Sequence, residues 1–184
     1  FRIFESQWSI PSFRNDGETG LHFAYSEDGL TWKGLRDNKS FLTPKVGNKL
    51  MRDPCIIQGP DGRYHMVWTT GWWENNIGIA HSDDLIHWTE QKMLPVMAHE
   101  PEVMNSWAPE IFYNEDTAEY IIFWSSAVPG KFPETADRGD IRSTINKGIN
   151  HRVYYVKTKD FKTYTDTALF YDGGFVSIDG SILK

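Results

Sequence analysis

Cysteine is nearly absent from this chain, Cys55 being the only one in 184 residues. An internal disulfide is therefore impossible, and paired-cysteine metal or redox motifs are excluded. No apolar run approaches the roughly 20 residues of a membrane-spanning helix, and the residues from Phe1 onward show no basic segment leading into an apolar one. Basic runs are missing as well. With 19 Lys and Arg against 25 Asp and Glu the net charge is −6, which argues against an electrostatic grip on nucleic acid or anionic membrane. Long windows with apolar residues at helical spacing are also lacking. Aromatic residues are abundant instead: 8 Trp, 8 Tyr and 11 Phe accompany 15 Gly and 9 Pro. That composition points to a β-rich chain and to sugars as partners.

Short alternating segments carry the pattern. Residues 20–25, 64–68, 76–80, 120–124 and 152–156 are each about five long and rich in β-branched and aromatic types, which predicts strands. Turn signals at Asp16-Gly17, Asp28-Gly29, Pro60-Asp61-Gly62 and Asp172-Gly173-Gly174 separate them. The expected class is all-β.

Two phrases recur in order. Ser26-x-Asp28…Trp32, Ser82-x-Asp84…Trp88 and Thr158-x-Asp160…Tyr164 share a hydroxyl residue, an Asp two positions on and an aromatic four further. Arg52-Asp53-Pro54 and Trp107-Ala108-Pro109-Glu110 each precede such a closing phrase, and Ile178-Asp179-Gly180 begins another copy. The acidic openers Asp53, Glu110 and Asp179 lie 57 and 69 residues apart, and the polar segment 127–150, read as a surface loop, accounts for most of the excess. A repeat of this length, holding about four short strands, predicts a β-propeller blade rather than a β-sandwich. The Ser-x-Asp phrases read as turn locks, with Trp32, Trp88 and Tyr164 plugging the space between blades.

Opening strands of propeller blades line the central axis, so Asp53, Glu110 and Asp179 are expected at equivalent positions around one funnel. Like charges brought that close raise one another's pKa, which is costly unless the carboxylates have work to do. Trp72 and Trp73, in the loop after the second strand of the Asp53 blade, and Trp107 are placed to stack on sugar rings.

These motifs together resemble the five-bladed propeller glycosidases of glycoside hydrolase family 43, from about residue 20 to the end. The resemblance implies hydrolysis of pentose- or furanose-containing polysaccharides (arabinofuranosides, xylosides or galactofuranosides) with inversion of configuration. Carried over by motif, Asp53 is the general base and Asp179 the residue that modulates the acid's pKa. Glu110 binds sugar hydroxyls, with Trp72, Trp73, Trp107 and Arg52 beside the substrate. In such a mechanism the two working carboxyls stand roughly 6.5–9.5 Å apart to admit water. Gly180 replaces the Pro that often follows the modulator, and the family's general acid, a Glu of a later blade, has no candidate. No metal or other cofactor is expected, because the six histidines show no ligand spacing and the Asp-Gly turns lack the calcium-loop pattern.

Three other readings are open. Fructan and sucrose hydrolases of family 32 share the Arg-Asp-Pro opener but need an Asn-Asp-Pro nucleophile motif upstream. Sialidases share an Asp-box-like turn. A non-catalytic carbohydrate-binding propeller needs only the funnel and its aromatics. Residues 1–184 are expected to form a single propeller domain truncated at its C-terminus, with blades at 20–32 (partial), 52–88, 108–164 and 177–184 (partial). A five-bladed ring needs roughly 300 residues. Extracellular or periplasmic residence follows from the resemblance alone.

Overall fold

A computed structural model describes residues 2–4, 7–138 and 149–183. Part of the predicted loop at 127–150, and Lys184, lie outside the described residues. The described residues form twelve strands in three four-stranded antiparallel sheets, each following chain order. The first sheet holds β1 (Arg2–Phe4), β2 (Gln7–Ser12), β3 (His22–Ser26) and β4 (Lys33–Gly34). The second holds β5 (Arg52–Gln58), β6 (Tyr64–Thr69), β7 (Ile77–Ser82) and β8 (Lys92–Leu94). The third holds β9 (Trp107–Asn114), β10 (Glu119–Ala127), β11 (His151–Thr158) and β12 (Ala168–Tyr171). Among the described residues, helix is limited to two short 3-10 segments, and none is long and apolar enough to cross a membrane.

The expected partial blade at 20–32 is corrected: the first sheet begins at Arg2 and has four strands. Pro11 disguises β2, since proline cannot donate within a ladder. It is tolerated because β1 pairs only with Gln7 and Trp8, so Pro11 lies beyond the paired stretch. At the other end, residues 177–183 carry no strand assignment, because they share no ladder with any described strand.

Alternation on β6 shows how the sheets stack. Met66 and Trp68 belong to a cluster with Leu21, Phe23, Met51 and Ala80, between the first and second sheets. Val67, one residue away, belongs to the cluster with Ile111, Ile122, Trp124 and Val156, between the second and third. Both faces of the strand are covered, so it reads as a continuous apolar run. Trp68 lies flat on β7 because its cross-strand partner is Gly78, where an added Cβ would come 2.0 Å from the indole.

The Ser-x-Asp phrases do join the third and fourth strands of every sheet. Asp28 Oδ1 accepts from the N–H groups of Leu30 and Thr31 at 2.8 and 2.7 Å, and Asp84 Oδ1 accepts those of Ile86 and His87 at 2.8 and 2.7 Å. Asp160 Oδ1 repeats the arrangement with Lys162 and Thr163 at 2.9 and 3.0 Å. These bonds hold all three carboxyls below their ordinary range. Trp88 packs against the first cluster and Tyr164 against the second, each reaching back to the preceding sheet. Trp32 departs from the expected inter-blade role: it is 39% exposed and joins neither cluster, because no described sheet precedes its own.

Candidate active site

The openers β5 and β9 begin with the same irregularity. Arg52 pairs with Thr69 and the next paired residue is Cys55, opposite Val67; Trp107 pairs with Ser125 and the next is Glu110, opposite Phe123. Within each bulge one residue takes a left-handed backbone: Asp53 at φ 47° and Ala108 at φ 45°. Asp179 has the same conformation, at φ 53°. A side-chain-bearing residue there is strained by about 1–2 kcal/mol, least for Asp and Asn. Strain of this kind gathers at functional sites.

The bulges correct one expectation. Asp53, Ala108 and Asp179 are the equivalent positions, and Glu110 corresponds to Cys55, two residues further on. Aligning the openers on their acidic residues misplaces it; aligning Pro54 with Pro109 gives the register, since both strands carry the same bulge.

All three carboxylates converge in spite of this. Asp53–Cys55, Ala108–Glu110 and Asp179–Gly180 line one cleft of about 250 Å³. Burial pushes the Asp53 carboxyl above its ordinary range; Arg52 opposes this and Asp179 adds to it, while a hydrogen bond from Thr69 pulls the other way. Glu110 is raised first by burial and further by Asp179, against a hydrogen bond from Ser181. Cys55 is pushed up to about 11 by burial, so its sulfur stays a thiol. A larger cleft of about 450 Å³ lies between Leu94–Val96 and Tyr164–Thr167, but of the three openers' carboxylates it receives none.

Beside the carboxylates runs an aromatic edge. The Trp107 indole N–H donates to the Trp72 carbonyl at 2.7 Å, and its ring meets Trp72 and Trp73 at 5.9 and 5.5 Å between centroids. Trp72 and Trp73 are 40% and 52% exposed, leaving ring surface open. The Thr70 hydroxyl holds the base of this loop through Glu74 and Asn76. Arg52 turns away from Asp53: its guanidinium sits over Trp72 at 4.2 Å and Phe13 at 4.9 Å, with Asp16 3.4 Å away. Behind Trp107 the fully buried His151 ring lies at 4.9 Å and meets the Asn105 side chain at 3.0 Å.

Residues 10–184 match a family model described as a probable glycosyl hydrolase domain, of the kind related to glycoside hydrolase family 43. The chain belongs to this family. A curated relative, the alpha-L-arabinofuranosidase of Bifidobacterium longum subsp. longum, is 22% identical over 98% of the chain, which spans 19% of that protein. Among solved structures, an alpha-L-arabinofuranosidase from Clostridium thermocellum superposes with a TM-score of 0.53 at 16% identity, covering 90% of this chain and 47% of its own. A family 32 beta-fructofuranosidase of Bombyx mori superposes at 0.55 with 15% identity, covering 90% of this chain and 36% of its own. At such identities the structures establish the fold: this glycosyl hydrolase chain is part of a β-propeller of the family 43 type. The chain spans less than half the length of each of these three proteins.

Three contacts of this glycosyl hydrolase domain escape sequence reasoning. Thr69 bridges Asp53 and the backbone of Ala108, Ser181 bonds to Glu110, and His151 backs Trp107. One signal for the first was available: Trp68-Thr69-Thr70 repeats as Trp124-Ser125-Ser126, a tryptophan followed by two hydroxyl residues towards the end of β6 and of β10.

Proposed function

We propose that the protein is a glycosidase that hydrolyses O-glycosidic bonds in pentose- or furanose-containing polysaccharides with inversion. Arabinofuranosides are the first candidates, with xylosides and galactofuranosides next. The observation that carries this reading is the convergence of Asp53, Glu110 and Asp179 on one cleft beside an exposed tryptophan edge. Asp53 takes a proton from the attacking water. Its partial burial leaves it a stronger base than a fully solvated aspartate, with Arg52 limiting the shift. Asp179 supplies the negative field that holds a neighbouring acid protonated, and Glu110 accepts hydrogen bonds from sugar hydroxyls. Trp72 and Trp73 offer ring faces to the C–H faces of the sugar. Trp107 has its N–H committed to Trp72, so its part is to fix that edge. Arg52 acts beside the substrate by holding Trp72 from behind. The proton donor to the leaving oxygen is none of these three carboxyls. Polymeric substrates of this kind are met outside the cytoplasm, and extracellular or periplasmic residence belongs to the same proposal.

The test is an assay of the full-length protein and its Asp53→Asn variant on aryl arabinofuranosides, xylosides and galactofuranosides, with the product anomer followed by proton NMR. Loss of about 10³-fold or more in kcat with an inverted first product is expected. Near-full activity in the variant removes Asp53 as base, and a retained anomer removes the inverting mechanism.

A further inference from the structure

Thr69 stands at the end of β6, is 1% exposed, and touches two sheets at once. Its hydroxyl oxygen accepts the Ala108 N–H at 2.8 Å, across the boundary to the third sheet. A hydroxyl has one proton and two lone pairs. With a lone pair engaged by Ala108, the proton is directed to Asp53 Oδ2, 3.4 Å away in its own sheet. That reach is long for a hydroxyl donor. Among the described residues, however, no other acceptor takes the Thr69 proton.

The arrangement is tied to the repeat. Thr69 is opposite Arg52 where the β5 bulge begins, and Ser125 is opposite Trp107 where the β9 bulge begins. Ser125 is fully buried and its hydroxyl has no hydrogen-bond partner among the described residues. By the same register, the next opener's N–H belongs to Asp179, the counterpart of Ala108. A buried hydroxyl thus recurs at the matching position of β6 and β10, opposite the residue where each bulge begins.

We propose that Thr69 is a positioning residue for Asp53: fixed by the Ala108 N–H, its hydroxyl holds one carboxylate oxygen and leaves the other to receive the proton of the attacking water. The inference rests on Asp53 as the base. It assigns to the boundary between the second and third sheets a part in setting the base's orientation and ionisation. A hydrogen bond to the charged form favours that form, so removing the hydroxyl makes Asp53 harder to ionise.

Two substitution pairs test this in the full-length protein. Thr69→Val keeps the branched shape and loses the hydroxyl; Thr69→Ser and Thr69→Ala differ from each other only in the hydroxyl, and carry the same comparison if the valine variant fails to fold. Relative to its hydroxyl-bearing counterpart, each hydroxyl-free variant is expected to keep kcat/KM within about threefold near pH 7.5 and to lose about tenfold near pH 5. The serine variant should follow the wild-type profile. The Asp53 side-chain carboxyl, followed by carbon-13 NMR without substrate, should titrate at higher pH in the valine and alanine variants. Equal activity losses at both pH values with an unmoved Asp53 titration would show that Thr69 only joins the sheets. An active Asp53→Asn variant instead overturns the base assignment, while the NMR titration still reports on the Thr69 contact.

Discussion

The Arg52 guanidinium lies 4.2 Å from the centre of the Trp72 ring, while the next residue, Asp53, directs its carboxyl into the cleft. Two neighbours in the chain thus serve opposite sides of one strand. The cation supports the aromatic edge by direct contact and acts on the Asp53 carboxylate only through space.

That separation predicts opposite pH effects from two substitutions. Arg52→Met removes the charge that lowers the Asp53 pKa, so the acid limb of kcat/KM should move to higher pH. Asp179→Asn removes a charge that raises it, so the limb should move to lower pH whatever happens to the plateau. Each displacement should be worth less than about tenfold in kcat/KM near pH 5, since both charges act through partly solvated surroundings. Profiles recorded at low and high salt check the assignment, because the displacements should shrink with salt.

A histidine pair far from the carboxylates ties the second and third sheets together. His65 and His81 face each other with their Nδ1 atoms 2.8 Å apart, and His65 stacks on Phe161 at 4.2 Å and meets the Tyr120 hydroxyl at 3.2 Å. Burial, then His65, Arg63 and Lys92, push His81 down to about 4, with Asp61 opposing; burial lowers His65 too. The folded state therefore binds fewer protons than the unfolded chain, and stability is lost as pH falls from 6.5 towards about 4. The melting temperature should drop by several degrees across that window. His81→Asn should flatten the dependence, and an unchanged slope would dismiss the pair as its source.

Arg152 should be the costliest polar residue to remove. Its side chain is fully buried and bonds to Asp172 at 2.6 Å, Asn150 at 2.8 Å and Thr135 at 2.7 Å, beneath the Phe132 ring. Arg152→Met removes these bonds while Asp172, Asn150 and Thr135 each keep another partner, and should destabilise by about 2–3 kcal/mol in urea unfolding. Arg152→Lys should recover little, because an ammonium cannot reproduce the planar fork.

The strands legible in the sequence are those that alternate strongly between turn signals, such as 64–68 and 120–124, which the structure extends to Tyr64–Thr69 and Glu119–Ala127. Outer strands such as Lys33–Gly34 and Lys92–Leu94 are too short and polar to carry a period. The Ser-x-Asp turns were readable because the bonds their Asp side chains accept span three residues or fewer. Glu110 was readable as a cleft residue but not in its register, which the matching prolines Pro54 and Pro109 carry rather than the acidic residues. Thr69 was hidden for a different reason: its Ala108 contact joins positions 39 residues apart.

The aromatics that close the second and third sheets have an order in time as well as in space. Trp88 completes the boundary with the first sheet, and Tyr164 the boundary with the second. A chain emerging from the ribosome therefore seals each earlier seam only when the last turn of the following sheet appears. Translation pauses that hold residue 88 or 164 inside the ribosome would leave an apolar flank open to chaperones, whereas pauses after these residues have emerged would not.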